Sequence, residues 1–338
     1  TRCIPIINAL LNRSCDVIIA GTGDSLKFLQ AEFPELHAVE IPGYRPVYPR
    51  DHAMVSKMLL QLPKFVATTQ KEHRAVRELI KRIGIDLVIS DNRFGAWSED
   101  VRSVFITHQS NILMPRRFGW MQGVVRSQNS RLINRFSRCW IPDYADGNTL
   151  AGDLIAFDKQ ELTIPLDHIG PLSRFRPKGN TNVKYDITAI FSGPEPQRTI
   201  FENIVMPMLE SSGLKYFVVR GLVSSAKTSV EDNVAQFLRG RELQDVIEAS
   251  EIILARSGYS TVMDLLALGK KAIFIPTPGQ TEQQYLAQQL MDREIAFTMS
   301  QQEFNLTTAL EMSREYKGFT RSARGQDLLD KALDSVLI

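Results

Sequence analysis

The sequence predicts an α/β protein made of two doubly wound domains. Its 338 residues, 43% of them hydrophobic, suffice for two hydrophobic cores at about 150 residues per domain. Short apolar runs alternate with amphipathic patterns along the chain, as buried parallel strands alternate with helices. A segment rich in proline and glycine near the middle separates two such series.

The predicted elements follow in chain order. A helix comes first, because Ile4, Ile7 and Leu10 recur at helical spacing and Pro5 is tolerated in a first turn. Doubly wound domains normally open with a strand and a phosphate-facing turn, so we expect these to precede Thr1. The predicted strands are residues 15–21, 85–91, 101–108, 184–193, 214–221, 251–258 and 270–277.

Composition divides the chain into domains. Residues 164–183 hold three prolines and two glycines without sustained periodicity, which is typical of a linker. We predict an N-terminal domain over 1–165, a linker over 166–183 and a C-terminal domain over 184–318. The remaining residues, 319–338, are predicted to form an amphipathic helix that crosses back to the N-terminal domain.

Charge and cysteine content exclude several classes of protein. A net charge of +2 gives no general attraction to nucleic acid. Three widely spaced cysteines without a CxxC pair argue against a disulfide framework or a zinc site, and favour a reducing cytoplasm. No apolar run approaches the roughly 20 residues that span a bilayer, and no signal-peptide pattern is visible. A soluble protein, or one peripheral to the inner membrane face, is expected.

The richest motif follows the strand predicted at 251–258. A glycine-containing turn enters a helix there, and the free N–H groups of a helix N-terminus favour an anion such as a diphosphate. The residues of this turn are Arg256, Ser257, Gly258, Ser260 and Thr261. Asp264, one turn further, has the position to accept hydrogen bonds from both hydroxyls of a ribose. The plainer interpretation is a capped helix with a solvated acid near its start.

This motif, RSG-x-x-T-x-x-[DE]-x-x-x-x-G, with the glutamine-rich turn after it, resembles the nucleotide-sugar signature of glycosyltransferase family 28, particularly the MurG-type N-acetylglucosaminyltransferases. The resemblance is specific over 255–290 and diffuse elsewhere. It implies the GT-B fold, two Rossmann-like domains facing a cleft, and a UDP-linked donor of the UDP-N-acetylglucosamine kind. Asp264 stands where the family usually has Glu. The turn implied to contact the sugar contains Gln280, Thr281, Gln283 and Gln284.

A second anion-binding turn is predicted after the strand at 184–193. Ser192 and Gly193 resemble the family's glycine-rich loop, with Arg198 as a further candidate. Pro194 and Pro196 remove backbone N–H groups from this turn, so it offers fewer donors. Arg220 ends the next strand at the same carboxyl edge, where open α/β sheets bind ligands. Residues 241–250 match the region that holds the base in such folds.

The sequence lacks the usual metal-binding motifs, so the leaving diphosphate must be stabilised by other groups. The chain contains no Asp-x-Asp, and its histidines are too scattered for a metal-ligand motif. Helix N-termini and Arg256 are instead expected to stabilise the departing diphosphate. We therefore expect inverting transfer without a cofactor or an obligatory Mg²⁺.

Polar residues at two strand ends define the predicted acceptor side. Asp91, Asn92 and Arg93 follow one strand, and His108 and Gln109 follow the next. Asp91 and His108 are the candidate bases for an acceptor hydroxyl, although a histidine at a strand end is more often structural.

The start of the chain suggests a different base. TRCIPIINAL resembles the continuation of a Gly-x-Gly-His-x-x-Arg turn, with Arg2 as its last residue. The resemblance implies that a histidine upstream of Thr1 is the preferred base.

A basic stretch suggests contact with a membrane. Residues 101–142 include seven arginines and no Asp or Glu. Phe118 to Trp140 show helical spacing of apolar residues, with Arg131, Arg135 and Arg138 on a neighbouring face. Such a helix fits an anionic membrane or a lipid-linked acceptor, and it equally fits a core helix with a solvated basic face.

Three functions remain open on the sequence alone. The leading hypothesis is a glycosyltransferase. A nucleotide-sugar hydrolase or 2-epimerase would use the same donor signature, and a non-catalytic sugar-nucleotide-binding protein would need only the binding site.

Overall fold

The computed structural model describes residues 1–44, 61–114, 116–145, 149–157, 160–179, 182–222, 230–231, 233–321 and 325–337. These residues form two compact units. The N-terminal unit comprises those up to Leu172 together with 325–337, and the C-terminal unit comprises those from Ser173 to Arg321. The segment 166–183, predicted as a linker, is therefore divided between the units.

The N-terminal unit contains two parallel sheets. Strands β1 and β2 pair with each other, and a second sheet has the order β3-β4-β5-β6. The strands are β1 (Ile18–Gly21), β2 (His37–Glu40), β3 (Leu87–Asp91), β4 (Arg102–Ile106), β5 (Arg138–Ile141) and β6 (Leu166–His168). The helices are α1 (Cys3–Leu11), α2 (Gly23–Glu32), α3 (Leu62–Ile83) and α4 (Gln122–Ile133), and 3₁₀ segments cover Arg116–Met121 and Gly152–Ile155.

The last helix, α10 (Gly325–Asp334), belongs to the N-terminal unit. Its side chains Leu329 and Leu333, with Val336 just beyond it, share one core cluster with Val104 and Trp140 of the four-stranded sheet. The predicted return of the C-terminal helix to the N-terminal domain is confirmed. The amphipathic pattern predicted this helix because its apolar stripe needs a partner surface.

The C-terminal unit is built on a seven-stranded sheet with the order β13-β12-β11-β7-β8-β10-β9. All its pairs are parallel except β9 with β10. The strands are β7 (Tyr185–Ile190), β8 (Tyr216–Val219), β9 (Val230–Glu231), β10 (Val234–Ala235), β11 (Ser250–Ala255), β12 (Lys271–Phe274) and β13 (Phe297–Thr298). The helices are α5 (Gln197–Ser211), α6 (Gly240–Glu248), α7 (Tyr259–Leu268), α8 (Thr281–Asp292) and α9 (Leu306–Ser313). The predicted doubly wound architecture is confirmed.

The basic amphipathic helix predicted from Phe118 to Trp140 is wrong in its second half. Helix α4 ends at Ile133, and β5 follows with Trp140 fully buried in the sheet. Arg138 lies on this strand and forms two hydrogen bonds to Asp167 on β6, at 2.9 and 2.8 Å. Asp167, which lies outside the basic stretch in sequence, thus supplies the acidic partner of Arg138.

The three arginines proposed as one membrane-facing set do not share a helix face. Arg131 is exposed in the last turn of α4, whereas Arg135 follows the helix and lies 5.9 Å from the Trp97 ring centroid. Among the described side chains of this region, Trp120 and Val124 are the large hydrophobic residues on the exposed surface, with exposures of 79% and 61%, and they stand at i,i+4 spacing. Among the described helices, none is long and apolar enough to cross a membrane.

Candidate functional site

The strand order of the C-terminal sheet reverses between β7 and β11. From β7 the chain continues to β8 on one side, whereas β11, β12 and β13 follow on the other. In open α/β sheets such a reversal opens a crevice at the carboxyl ends of the strands, where ligands bind. The loops after β7 and β11 contain the two anion-binding turns predicted from sequence, beginning at Ser192 and Arg256.

The N-terminus of α7 presents backbone donors at this crevice. Its first intrahelical bond runs from Val262 N to Gly258 O at 3.1 Å, so the N–H groups of Tyr259, Ser260 and Thr261 have no partner within the helix. In the part of the chain that the structure describes, no side chain caps this helix. A Cβ built on Gly258 would meet no atom within 4 Å, so open space lies beside these donors. A phosphate group is the kind of ligand that such a helix N-terminus binds.

Asp264 lies one turn further along α7 and is only 6% exposed. Its carboxylate accepts hydrogen bonds from Ser173 Oγ at 2.8 Å and Arg174 Nε at 3.2 Å. Burial raises the pKa of Asp264, and the charge of Arg174 and the Ser173 hydroxyl oppose that rise. The solvated first-turn acid of the plainer interpretation is therefore wrong. Ser173 and Arg174 were missed because sequence reasoning treated their segment as a spacer.

Arg256 has a structural role in place of the predicted diphosphate contact. Its side chain is buried, and Nη1 donates to the carbonyls of Ile275 and Pro276 at 3.0 and 3.2 Å. Nη2 donates to Gln197 O at 3.0 Å and to Gln301 Oε1 at 2.5 Å. Burial lowers the pKa of Arg256 to about 10. The guanidinium joins the loop after β12, the start of α5 and Gln301 in the loop after β13.

The arginines near the first anion-binding turn are joined by one buried acid. Glu202 accepts from Arg198 Nη1 at 2.6 Å and from Arg220 Nε at 2.5 Å. Arg198 is buried and also bonds Glu195 and the Arg220 carbonyl, so its role is structural. The Arg220 side chain is 37% exposed at the carboxyl end of β8 and stays a donor-site candidate.

Two glycines serve this edge in different ways. Gly221 has a positive φ, and a Cβ there would lie 2.2 Å from the Phe191 carbonyl oxygen, so only glycine fits. Gly193 also has a positive φ, of 104°, but faces open space. Gly193 and the half-buried Ser192 therefore border the crevice.

The glutamine-rich turn is fastened to the α7 loop. Gln283 Oε1 accepts the Thr277 N–H at 2.8 Å, and its Nε2 donates to Gln280 Oε1 at 2.6 Å. Its backbone carbonyl accepts the Ser257 hydroxyl at 2.8 Å. Through these hydrogen bonds, Ser257, Gln280 and Gln283 stabilise the conformation of the turn. Gln284 is exposed in the first turn of α8, next to the half-buried Thr281.

A second polar cluster lies at the carboxyl edge of the N-terminal sheet. Arg2, in the N-cap position of α1, donates from Nη2 to Asp91 Oδ1 at 2.6 Å and from Nη1 to His108 Nδ1. Cys3 Sγ donates to Asp91 Oδ2 at 3.5 Å, and burial raises the pKa of Cys3 to about 12. The structure thus brings together three predicted residues from positions far apart in sequence.

This contact decides the chemistry available to His108. A guanidinium has donors and no acceptor, so His108 Nδ1 must offer its lone pair to Arg2. In the neutral ring the proton then lies on Nε2. The nitrogen able to accept a proton is already occupied by Arg2, which disfavours His108 as a general base.

The remaining acceptor-side residues have separate roles. Arg93 Nε pairs with the buried Glu72 at 2.5 Å, and its Nη2 donates to Pro42 O at 2.6 Å, so Arg93 joins α3 to the loops after β2 and β3. Its predicted contact with the acceptor stays a prediction. Asn92 is exposed with a φ of +56°, and its N–H bonds Ile106 O. Gln109 is half-buried and lies three residues after the end of β4.

Comparisons with known proteins agree with this architecture. Residues 223–317 match the glycosyltransferase family 28 C-terminal domain. An uncharacterised glycosyltransferase of Methanopyrus kandleri is 22% identical over 323 residues, which is 89% of each chain. The structure of the spinosyn rhamnosyltransferase SpnG complexed with thymidine diphosphate matches with a TM-score of 0.62 at 13% identity, over 99% of this chain and 95% of that one.

A further relative is a UDP-N-acetylglucosamine–N-acetylmuramyl-(pentapeptide) pyrophosphoryl-undecaprenol N-acetylglucosamine transferase of Actinobacillus pleuropneumoniae. It is 23% identical over 214 residues, which is 61% of this chain and 55% of that protein. The fold and these matches define a glycosyltransferase of the GT-B type. Within that class the chain carries a family 28 C-terminal domain, which confirms the MurG-type resemblance of the 255–290 motif.

Proposed function

We propose that this glycosyltransferase moves a sugar from a UDP-sugar, with UDP-N-acetylglucosamine as the first candidate, to an acceptor hydroxyl. The observation that carries the proposal is the start of α7, where the N–H groups of Ser260 and Thr261 have no partner within the helix and open space lies beside Gly258, one turn before Asp264. The diphosphate fits the N–H groups and the ribose fits the carboxylate. The family 28 match and the name of the Actinobacillus relative support the donor.

The chemistry is a direct displacement. The acceptor oxygen forms a bond to the anomeric carbon while the bond from that carbon to the diphosphate oxygen breaks, and UDP leaves with the electron pair. A single displacement inverts the anomeric configuration. The positive end of the α7 dipole stabilises the charge that develops on the diphosphate. This supports transfer without an obligatory metal, as does the absence of Asp-x-Asp from the sequence. Among the described residues, no cluster of three His, Cys, Asp or Glu side chains has the arrangement of a metal site.

Asp91 is the better base among the described residues at the acceptor edge. Each of its oxygens accepts one hydrogen bond, from Arg2 and from Cys3, and a carboxylate has about four lone-pair sites. It can therefore still accept the proton of an acceptor hydroxyl, whereas His108 Nδ1 is occupied by Arg2. The Arg2 contact fixes the direction in which the remaining lone pairs point.

A lipid-linked acceptor is the second part of the proposal. The printed name of the Actinobacillus relative gives it a pyrophosphoryl-undecaprenol acceptor. In this chain, Trp120 and Val124 expose apolar surface at the start of α4, and Arg131 is exposed in the last turn of the same helix. A large exposed aromatic next to basic residues fits the interface of an anionic membrane.

The donor assignment is tested by calorimetry with UDP and by turnover of UDP-N-acetylglucosamine. Asp264→Ala is expected to weaken UDP binding about tenfold or more, the scale of hydrogen bonds to a charged group. The exposed Asp292 gives a matched control, because Asp292→Ala removes a carboxylate from α8 outside the crevice. Turnover is expected to persist in excess EDTA.

Several results would contradict the proposal. Unchanged UDP affinity in Asp264→Ala would remove Asp264 from the donor site, and activity that needs added Mg²⁺ or Mn²⁺ would refute metal independence. Release of free sugar with water as the only acceptor, at the rate seen with alcohols, would indicate a hydrolase. A change of the sugar itself would indicate an epimerase.

A further inference from the structure

The Asp264 carboxylate is held by two residues that precede the C-terminal sheet. Ser173 Oγ donates to Oδ1 at 2.8 Å, and Arg174 Nε donates to Oδ2 at 3.2 Å. The Ser173 oxygen accepts the Phe175 N–H at 3.0 Å, which leaves its own proton for Asp264. The Arg174 guanidinium lies 4.8 Å from the centroid of the Phe175 ring. Both donors are therefore oriented by the same neighbour.

The segment that supplies these donors, residues 173–178, is here called the tether. Its far end is fixed to α6 by three contacts. Gln244 Nε2 donates to Arg176 O, Lys178 N donates to Glu248 Oε1 at 2.9 Å, and Lys178 Nζ pairs with Asp245. Since these contacts hold the tether independently of α7, the tether can position the Asp264 side chain.

The hydrogen bonds leave Asp264 capacity for a ligand with two donors. An ionised carboxylate has about four lone-pair sites, two on each oxygen. Ser173 uses one site on Oδ1 and Arg174 uses one on Oδ2. One site then remains on each oxygen, which matches two neighbouring hydroxyls.

The positive charge on Arg174 also preserves the capacity of Asp264 to accept hydrogen bonds, because it favours the ionised carboxylate. A protonated carboxyl group would lose acceptor capacity and would itself become a donor. Burial favours that neutral form, since it raises the pKa of Asp264, and the adjacent guanidinium favours the ionised form. The pair is largely withdrawn from solvent, with side-chain exposures of 11% for Arg174 and 8% for Asp264.

We propose that Ser173 and Arg174 are positioning residues for ribose recognition, because they orient Asp264 so that its remaining lone pairs meet the 2′- and 3′-hydroxyls of the donor. This inference rests on the proposed function, in which Asp264 binds the ribose. It assigns the tether a role in choosing ribonucleotides over nucleotides that lack these hydroxyls. It also offers a reason why the shorter Asp serves here in place of Glu: the two donors fix its carboxylate in one orientation.

The test compares UDP with 2′,3′-dideoxy-UDP by calorimetry on the intact chain. The wild-type chain is expected to prefer UDP by about tenfold or more. Arg174→Met and Ser173→Ala are expected to bind the dideoxy nucleotide as the wild-type chain does and to lose most of the preference. Arg174→Lys keeps the charge and should recover part of it. Arg176→Met is the matched control, since that exposed residue contributes its backbone carbonyl to the tether and should retain the full preference.

The outcomes separate this inference from the donor assignment. Equal loss of affinity for both nucleotides in Arg174→Met and Ser173→Ala would show a general structural role and overturn the inference. An undiminished preference in both variants would also overturn it. Asp264→Asn then locates the failure: if Asp264→Asn abolishes the preference while the tether variants keep it, only the positioning role is wrong. If the wild-type chain has no preference, or Asp264→Asn keeps it, the ribose assignment fails and the positioning role with it. Circular dichroism verifies that each variant is folded.

Discussion

The two candidate ligand-binding edges of this molecule use different chemical groups, backbone N–H groups in one and side chains in the other. In the C-terminal unit, one continuous run of sequence supplies backbone N–H groups at the start of α7, and the nearby Arg256 donates, among the described residues, to carbonyl and amide oxygens of the protein. In the N-terminal unit, side chains from distant positions meet, and Arg2 bonds the titratable groups of Asp91 and His108. At the start of α7, where the helix dipole supplies positive charge, Arg256 has a structural role. Where the chemistry lies in side chains, arginine orients them.

The largest expected effect tests the structural half of this comparison. Arg256→Met should lower the free energy of unfolding by about 3 kcal/mol or more, because it leaves several buried carbonyl groups without donors. Chemical denaturation measures this change. Arg241→Met, on the exposed surface of α6, should change stability by less than about 0.5 kcal/mol. UDP affinity measured well below the melting temperature should change little. A stable variant with strongly weakened UDP binding would return Arg256 to the diphosphate site.

The next effect tests the chemical half. Asp91→Asn should lower turnover by about 100-fold, the usual contribution of a positioned base, without changing UDP affinity. Arg2→Met should lower turnover by about tenfold, because Asp91 keeps its carboxylate but loses a hydrogen bond that orients it. Arg13→Met is the matched control just beyond the opposite end of α1, where Arg13 pairs with Asp330 and Asp334. If Asp91→Asn remains active and His108→Ala does not, the assignment of roles at this edge is reversed.

The same contrast explains what the sequence could and could not predict. The seven predicted strands are all present, because each is a short apolar run between helical patterns. Strand β5 was missed because Trp140 continues the helical spacing of the residues before it, and sequence periodicity does not show that its partner strands lie on either side. The α7 motif is local and could be predicted. The Ser173–Asp264 and Arg2–His108 contacts join residues 91 and 106 positions apart, and only the folded chain brings them together.

The smallest expected effect concerns membrane binding, where the arginines of the basic stretch are compared with the exposed apolar residues of the same region. The sequence pattern attributes membrane attraction to Arg131, Arg135 and Arg138, but Arg138 is paired with Asp167 inside the sheet. The exposed surface instead offers Trp120 and Val124.

An aromatic side chain at the headgroup level strengthens membrane binding through apolar burial, which salt does not screen. Basic residues near an anionic surface contribute about 1 kcal/mol each to binding, and salt screens this attraction. Sedimentation with phosphatidylglycerol vesicles should therefore fall several-fold in Trp120→Ser/Val124→Ser at both low and high salt. Arg131→Gln/Arg135→Gln should reduce sedimentation at low salt only, and UDP binding should be unchanged in both double variants. Sedimentation that depends on the arginines alone would restore the electrostatic interpretation, and a wild-type chain that ignores the vesicles at low salt would remove the membrane from the proposal.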